Sequence, residues 1–178
     1  MLTVLMNNYL LHGQETERLF FKAISRSHYN AWLPFFTAPE TSRHWVMQAE
    51  NPEIACSKWY EKQFNRYESG EGGMNAIFDK VSGSLIGHCG LLQLRVDGLI
   101  ELEVGYSILP AFWYKGYATE AAIKCKTYAF EHLLSYSLVS IISLSNTAAK
   151  KVALKMGMTL DKTTVYSENR VNIYRVCI

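Results

Sequence analysis

The sequence predicts a mixed α/β (α+β) fold, and three features of its pattern support this. An Asp97-Gly98 pair separates two apolar runs, residues 138–144 form a β-branched run of low polarity, and small apolar residues recur at helical spacing over about 118–134. The first feature is typical of a β-hairpin, the second of a buried strand and the third of a packed helix. In chain order we expect one strand, short helices, three strands, a helix, a strand, a helix and two strands.

The first part of the chain is predicted to hold a strand and then helices. Residues 19–24 suit a strand, and one of the serines that follow can cap a helix. Three of the four prolines and nine aromatic residues lie within residues 29–67, which indicates short helices broken by loops. Asn51 followed by Pro52 is a favourable helix start, and this helix should end near Ser69.

Residues 74–109 are predicted to form three consecutive antiparallel strands. Asp97-Gly98 marks one turn, because both central positions of a tight hairpin favour positive φ, and Ser82-Gly83-Ser84 marks a weaker one. The strands are therefore expected to follow one another as neighbours in one sheet.

The last third of the chain alternates helices and strands. After the helix near 118–134 and the strand over 138–144, Asn146 opens a helix that runs to Met156. Gly157 follows as the left-handed residue that often ends a helix. Residues 158–166 and 171–176 are the two final strands.

Length and composition favour one globular unit and exclude several classes of protein. The 178 residues fit a single domain over 1–178, with residues 1–15 as an N-terminal extension. Eighteen basic and sixteen acidic residues give a net charge of +2, which argues against a nucleic-acid-binding protein. Without a basic leader or a long apolar stretch, the chain is expected to be cytoplasmic and not to bind a membrane. The oligomeric state is left open between a monomer and a homodimer.

The four cysteines and five histidines show no metal-site or disulfide pattern. No C-x-x-C or H-E-x-x-H spacing occurs, and the only His-Cys neighbours, His88 and Cys89, point to opposite faces of a strand. We therefore expect no metal, and reduced cysteines that pack as small hydrophobic residues.

The small net charge is unevenly distributed. Residues 112–157 contain six lysines and only two glutamates, which makes this segment +4 and the rest of the chain −2. Lys124 and Lys126 are expected to lie on ordinary solvated helix faces. The remaining bias favours a small polyanionic ligand.

A loop that leads into a helix lies in this basic segment. The chain passes from a strand through Pro110 and Gly116 into the helix, so that free backbone N–H groups and the positive end of the helix dipole meet at one point. Such a junction binds phosphate groups well, and Gly116 allows a close approach of the ligand. A plain turn is the alternative at this stage.

The residues of this loop resemble a known family motif. W-Y-K-G-Y-A-T-E-A at 113–121 resembles the acetyl-coenzyme A motif of GNAT N-acetyltransferases, and within them the RimJ/RimL-like branch, in which Trp113 replaces the usual Gln or Arg. Further segments agree in register, and the resemblance spans residues 16–176. They are T-E-R-L at 16–19, E-L-E-V-G-Y-S-I-L at 101–109, N-T-A-A at 146–149 and V-A-L-K-M-G-M at 152–158.

The resemblance implies a fold and a cofactor site. The fold would be a twisted, mostly antiparallel sheet of six to seven strands, flanked by about four helices and splayed between strands four and five. Acetyl-CoA, or CoA, would bind as cosubstrate, with its pantetheine arm paired to the backbone of residues 106–109 and its pyrophosphate on residues 115–119. The implied cofactor-binding residues are Ile108, Leu109, Trp113, Lys115, Gly116, Tyr117, Ala118, Thr119, Asn146 and Lys151, with Lys150 as an alternative to Lys151.

The resemblance also implies a catalytic role for Glu103, as the base that deprotonates the amine. A solvent-exposed strand face is the alternative for Glu103 and the preferred interpretation for Glu101. Gly105 within the strand indicates a bulge or a close approach. Ala149 stands where the family has a Ser that is credited with protonating the thiolate, and Ala153 stands near where other branches have a Tyr.

We therefore expect an N-acetyltransferase that moves an acetyl group to a primary amine by direct attack in a ternary complex. A protein N-terminal α-amine is the leading acceptor. A small-molecule amine acetyltransferase and a non-catalytic CoA-binding sensor are the alternatives. The aromatic stretch 29–67 is expected to pack the core and the helix contacts, and lining of the acceptor pocket is the alternative for some of its residues.

Overall fold

A computed structural model describes residues 8–44 and 50–178. Residues 1–7 of the expected N-terminal extension, and Trp45 of the aromatic stretch, lie outside these ranges. The elements in chain order are β1 (Leu19–Ala23), α1 (Tyr29–Trp32), α2 (Pro34–Thr37), α3 (Pro39–Ser42), α4 (Pro52–Ser69), β2 (Gly72–Asp79), β3 (Leu85–Val96), β4 (Leu99–Ile108), α5 (Tyr117–Glu131), β5 (Ser137–Ser143), α6 (Thr147–Lys155), β6 (Thr159–Tyr166) and β7 (Asn169–Cys177). Short 3₁₀ turns at Arg26–His28 and Pro110–Phe112 complete the chain.

The seven strands form one mixed sheet in the order β1-β2-β3-β4-β5-β7-β6. Every neighbouring pair is antiparallel except β4 and β5, which are parallel. A parallel pair needs a long crossover, and α5 supplies it between β4 and β5. The predicted mixed fold, its strand order along the chain and the opening between the fourth and fifth strands are confirmed.

Helices cover the two faces of the sheet differently. On one face, the small side chains of α5 (Ala121, Ala122, Cys125 and Ala129) and the buried residues of α6 join the main core cluster. On the other face, α1 to α4 pack an aromatic-rich cluster over β2 and β3. A third, smaller cluster lies on β5 and β7. The helical stripe predicted for α5 is thus buried as expected.

Local signals explain most element boundaries. Asp97 and Gly98 have φ values of 48° and 83°, as a tight hairpin requires. The Asn51 side chain accepts hydrogen bonds from Glu53 N and Ile54 N, and Gly70 ends α4 in the left-handed conformation. The helix α5 ends at Glu131 rather than near Leu134, because Leu133 takes a positive φ of 51° and Leu134 N bonds back to the Ala129 carbonyl. The sequence pattern missed this early end.

His88 lies at the centre of the aromatic cover over β3. Its ring lies 4.3 Å from the Trp32 ring and 4.6 Å from the Trp59 ring, and it is fully buried. Neither ring nitrogen has a hydrogen-bond partner among the described residues. Burial, with His28 nearby, holds the pKa of His88 well below its usual value, so that the ring is neutral.

The state of the cysteines, the length of the helices and the grouping of metal-ligand residues bear on the expectations from composition. All four cysteines are free thiols, three of them buried. None of the described helices is long and apolar enough to cross a membrane. Across the described ranges, no three His, Cys, Asp or Glu side chains come together in a way that could hold a metal ion.

Asn75 ties the N-terminal segment to the sheet, and its removal tests this part of the fold. Its buried side chain accepts from Leu11 N at 3.0 Å and donates to the Cys89 carbonyl at 3.2 Å. Asn75→Ala would leave the buried Leu11 N–H without its partner and remove one hydrogen bond from the Cys89 carbonyl, and we expect a loss of about 1–3 kcal/mol in urea unfolding. Asn65→Ala, on the exposed side of α4, serves as the control and should change stability by less than about 0.5 kcal/mol. Equal losses in both variants would contradict this account.

Candidate active site

The sheet opens between β4 and β5, and this β4–β5 gap is the centre of the candidate site. Within residues 8–44 and 50–178, the two strands pair only at Glu103 and Val139. Beyond that point β4 pairs with β3 alone as far as Ile108, and β5 pairs with β7 alone as far as Ser143. Because the strands are parallel, their carboxyl ends lie at the same edge, and the gap widens toward that edge.

Two side chains hold the closed end of the gap. Ser140 Oγ donates to the Val104 carbonyl at 2.9 Å, and Ile141 N–H donates to Glu103 Oε1 at 3.4 Å. These bonds replace the ladder bonds that the strands would make if they stayed together. The backbone is therefore satisfied where the separation begins.

Farther along the gap, backbone groups of β4 face open space. Leu109 N–H donates to the Ile86 carbonyl at 3.0 Å, and the alternation of an antiparallel ladder then turns Tyr106 and Ile108 toward β5. The Ile108 carbonyl is taken by Trp113 Nε1 at 2.7 Å. The groups that remain directed into the gap are both backbone groups of Tyr106 and the N–H of Ile108.

The loop after β4 forms the second part of the site. Gly116 precedes α5 with a φ of 83°, a conformation that favours glycine, and no described side chain caps this helix end. Glu120 N–H is the first to bond back, to the Gly116 carbonyl at 3.0 Å. The N–H groups of Tyr117, Ala118 and Thr119 therefore point out of the helix end, as an anion site requires.

Arg18 lies beside this loop, and sequence reasoning assigned it no role. Its Nη1 donates to the Lys115 carbonyl at 3.0 Å, its guanidinium lies 4.4 Å from the centre of the Tyr117 ring, and a Cβ on Gly116 would meet its Nη2 at 3.4 Å. The T-E-R-L segment was the only signal in the sequence that could have pointed to it. Arg18 adds a cation next to the N–H groups of the loop.

Glu120 is turned away from the anion site. Its carboxylate accepts from Thr16 Oγ1 at 2.6 Å, from Arg18 N at 2.9 Å and from Arg18 Nε at 2.6 Å. Burial raises the pKa of Glu120, but these hydrogen bonds outweigh it and the pKa lies below its usual value. A carboxylate in the first turn thus anchors Arg18 instead of repelling an anion.

Glu103 is the titratable group at the closed end of the gap. Burial raises its pKa to about 7, against the lowering effect of the Ile141 N–H and of Arg66 and Lys62 on α4. A carboxyl group with this pKa is partly ionised near neutral pH and can accept a proton. The alternative of a solvent-exposed strand face does not describe Glu103, whose carboxyl group is buried between β5 and α4.

A match to a family model adds to this geometry. Residues 18–159, most of the chain, match the model described as acetyltransferase (GNAT) domain. The chain belongs to the GNAT acetyltransferase family. It is therefore an acetyltransferase, and its open β4–β5 gap and uncapped α5 are parts of a GNAT domain.

Individual relatives agree with this assignment. The GNAT domain is 34% identical to YkkB of Bacillus subtilis (strain 168) over 85 residues, which is 48% of this chain and 49% of YkkB, so the match spans about half the length of that relative. It is 28% identical to the N-acetyltransferase YoaA of the same organism over 144 residues, 80% of each protein. The crystal structure of an acetyltransferase from Agrobacterium tumefaciens str. C58 superposes with a TM-score of 0.77 at 25% identity, covering 92% of both chains.

Other predicted details of the GNAT domain differ from the structure. Glu101 does not lie on an exposed face, because it forms a bidentate ion pair with Arg175 at 2.7 and 3.0 Å. No bulge occurs at Gly105, since β3 and β4 pair in continuous register. The close approach is real, however, because a Cβ there would lie 2.9 Å from the Leu92 and Met74 side chains.

The predicted cofactor residues divide into two groups. One group is gathered around the loop between β4 and α5, and its members are Ile108, Leu109, Trp113, Lys115, Gly116, Tyr117, Ala118 and Thr119. The other is on α6, across the gap: Asn146 caps that helix through a 3.0 Å bond from Ala149 N to its Oδ1, and Lys150 and Lys151 are exposed. Lys126 donates to the Met156 carbonyl at 2.6 Å and so caps the carboxyl end of α6.

The raised pKa of Glu103 should make the stability of the protein depend on pH. In the native state the carboxyl keeps its proton up to about pH 7, whereas in the unfolded chain it loses it near its usual value of 4.5. The native state binds more protons between these values, so this contribution to stability falls as pH rises through that window and is constant above it. The free energy of unfolding of wild type and of Glu103→Gln can be measured in urea at pH 5 and pH 8. Relative to Glu103→Gln, the wild-type protein should be less stable at pH 8 than at pH 5. A difference that does not change with pH would contradict the assignment.

Proposed function

We propose that this GNAT domain transfers the acetyl group of acetyl-CoA to a primary amine, with a protein N-terminal α-amine as acceptor, by direct attack in a ternary complex. The observation that carries the proposal is the β4–β5 gap, which runs from the anion site before α5 to the carboxyl group of Glu103. A long, thin thioester with a polyanionic end suits a gap of this form.

The anionic end of acetyl-CoA is proposed to bind at the loop. The N–H groups of residues 117–119 would receive the pyrophosphate, with the close approach allowed by Gly116 and with Lys115 and Arg18 as flanking cations. Lys151 is proposed to meet the adenosine phosphates from α6. The Asn146 amide group, whose oxygen already serves as a helix cap, would meet the pantetheine with its nitrogen.

The pantetheine arm is proposed to lie in the gap against β4. It would pair with the Tyr106 backbone and the Ile108 N–H, because the Ile108 carbonyl is bonded to Trp113 and the Leu109 N–H to Ile86. The proposed hydrogen bonds to the pantetheine arm thus involve only Tyr106 and Ile108 of the expected range 106–109. Leu109 and Trp113 then shape the end of the gap and do not bond the arm directly.

Glu103 is proposed to act as the general base for the incoming amine. The amine transfers its proton to Glu103, the nitrogen attacks the thioester carbonyl, the C–N bond forms and the C–S bond breaks. Within the described part of the chain, the cysteine thiols near the gap, Cys89 and Cys125, are buried in the core, which supports direct attack without a covalent enzyme intermediate.

The pKa of Glu103 favours an α-amine as acceptor. Transfer of a proton from an α-ammonium group with a pKa near 7.8 to a carboxylate with a pKa of about 7 costs about 1 kcal/mol, whereas a lysine ammonium near 10.4 costs about 4–5 kcal/mol. The W-Y-K-G-Y-A-T-E-A motif at 113–121, typical of the RimJ/RimL-like branch, supports the same class of acceptor. A small-molecule amine of low pKa is the second candidate, since its pKa would also lie close to that of Glu103.

Binding of the donor is tested at Gly116. Coenzyme A at about 100 times its Kd should stabilise the wild-type protein by about 2.7 kcal/mol, visible as a rise in Tm. Gly116→Glu should abolish the rise, because its carboxylate would repel the phosphates at the anion site and a side chain is strained at a φ of 83°. Gly98→Glu is the matched control: it has the same φ of 83°, lies in open space at the far end of β4 and should keep the rise. A full Tm rise in Gly116→Glu would refute the proposed site.

Catalysis is tested by release of free thiol from acetyl-CoA. With a peptide that has a free N-terminus, kcat/KM should increase as pH rises through the Glu103 pKa of about 7 and level off above about 8, because the α-amine has a pKa near 7.8. Glu103→Gln should lower kcat/KM about 10²-fold and remove the Glu103 step from the pH profile. Glu61→Gln on the exposed side of α4 is the charge control and should match wild type.

The acceptor panel separates the alternatives. Faster release with N-terminal peptides than with N-acetylated lysine peptides or small amines supports the α-amine proposal, and the reverse order with small amines supports the second candidate. Tight CoA binding without thiol release for any acceptor would contradict catalysis and indicate a sensor domain.

A further inference from the structure

Protonation of the sulfur assists the departure of the thiolate, and the ammonium groups of α6, on Lys150, Lys151 and Lys155, are all exposed to solvent. Ala149 and Ala153 pack in the main core cluster and have no hydroxyl group, and Thr147 is exposed at the start of the helix. Ser140 has a hydroxyl beside the gap, but its proton is directed to the Val104 carbonyl at 2.9 Å. A hydroxyl group on a neighbouring strand is the next candidate for a proton donor.

Tyr106 reaches the same place from β4. It lies three positions beyond the β4–β5 pair at Glu103, and its Oη donates to the Ala149 carbonyl on α6 at 2.9 Å. Its hydroxyl thus lies at the first turn of α6, next to Ala149, the position at which the resembled motif has a Ser. The residue is only partly buried, which agrees with a position along the open gap.

Tyr106 and Glu103 lie on opposite faces of the sheet. Strand residues alternate between faces, so residue 103 shares its face with Ser107 and residue 106 points to the face that α5 and α6 cover. An amine that loses its proton to Glu103 arrives from one side of the gap, and a thiolate can leave toward the other. Acid and base are thus kept apart and do not neutralise each other directly.

We propose that Tyr106 is the general acid of this site and gives its hydroxyl proton to the departing coenzyme A thiolate. The proposal rests on the acetyl transfer proposed above. The α-ammonium group gives one proton to Glu103, and the neutral nitrogen attacks the thioester carbonyl. As the C–S bond breaks, the electron pair goes to sulfur, Tyr106 Oη gives its proton to sulfur, and the second proton that the nitrogen loses on amide formation goes to water. The phenolate then takes one proton from water and Glu103 releases one to water, so that the protons balance over the cycle.

The electrostatics of the hydroxyl agree with this role. Burial, with Cys89 and Glu103 nearby, raises the pKa of Tyr106, so the phenol stays protonated at neutral pH and enters each cycle as a donor. The same desolvation raises the pKa of a thiol that leaves into the gap, which makes the thiolate a better proton acceptor than in water. The O–H proton rotates freely about the C–O bond and can turn from the Ala149 carbonyl to sulfur.

The test measures chemistry separately from binding. Tyr106→Phe removes the proton and keeps the ring, so the single-turnover rate of acetyl transfer at saturating acceptor should fall about 10²-fold by rapid quench, while the Kd for coenzyme A by calorimetry stays within about twofold. Tyr128→Phe is the matched control: its hydroxyl also donates to a backbone carbonyl, that of Asn8, from the same core cluster. It should leave the single-turnover rate unchanged.

A second variant keeps the proposal testable if Tyr106→Phe is poorly folded. Replacement of Tyr106 by 3,5-difluorotyrosine keeps the hydroxyl and makes it more acidic, so the single-turnover rate should rise by at least about twofold if the phenol gives its proton in the transition state. A rate that does not respond to the acidity of the phenol, or a Tyr106→Phe rate within about threefold of wild type, would overturn the proposal. Absence of acetyl transfer by the wild-type protein would instead overturn the proposed function.

Discussion

The separation of β4 from β5 is the constraint on which the rest of the site depends. Two parallel strands in the middle of a sheet lose their ladder after a single pair, Glu103 and Val139. Such a loss is costly unless other groups satisfy the backbone, and here the Ser140 hydroxyl and the Glu103 carboxylate do so. The residue proposed as catalytic base is thus also one of the two that hold the opening of the sheet.

The second organising contact joins the segment before β1 to the first turn of α5. Arg18 and Thr16, just before β1, meet Glu120 in the first turn of α5, 102 or more positions later in the chain. This ion pair fixes the loop around Gly116 against the edge of the sheet and provides a cation beside it. A salt bridge of this kind adds little stability when exposed, but its half-buried carboxylate and three hydrogen bonds give it a defined geometry.

The local sequence pattern predicted the helices and strands well, but it did not predict which side chains contact one another in the candidate site. The hairpin at Asp97-Gly98, the helix from Pro52 to Ser69 and the cap at Asn146 follow from turn and capping chemistry within a few residues. The role of Arg18 and the burial of Glu103 depend on contacts between segments far apart in the chain, which periodicity does not encode. Alternation placed Glu103 on the correct face, but only the packing of α4 and β5 around it shows that this face is covered.

The bond from Trp113 to the Ile108 carbonyl gives the loop a fixed shape before any ligand arrives. A flexible loop that must become ordered on binding loses conformational entropy at that moment, and the affinity for the ligand falls accordingly. Here an indole that packs against the core and a 2.7 Å hydrogen bond order the loop when the chain folds. The loop therefore loses its conformational entropy during folding, where burial of the core offsets the loss. Ligand binding then begins from a loop that is already ordered.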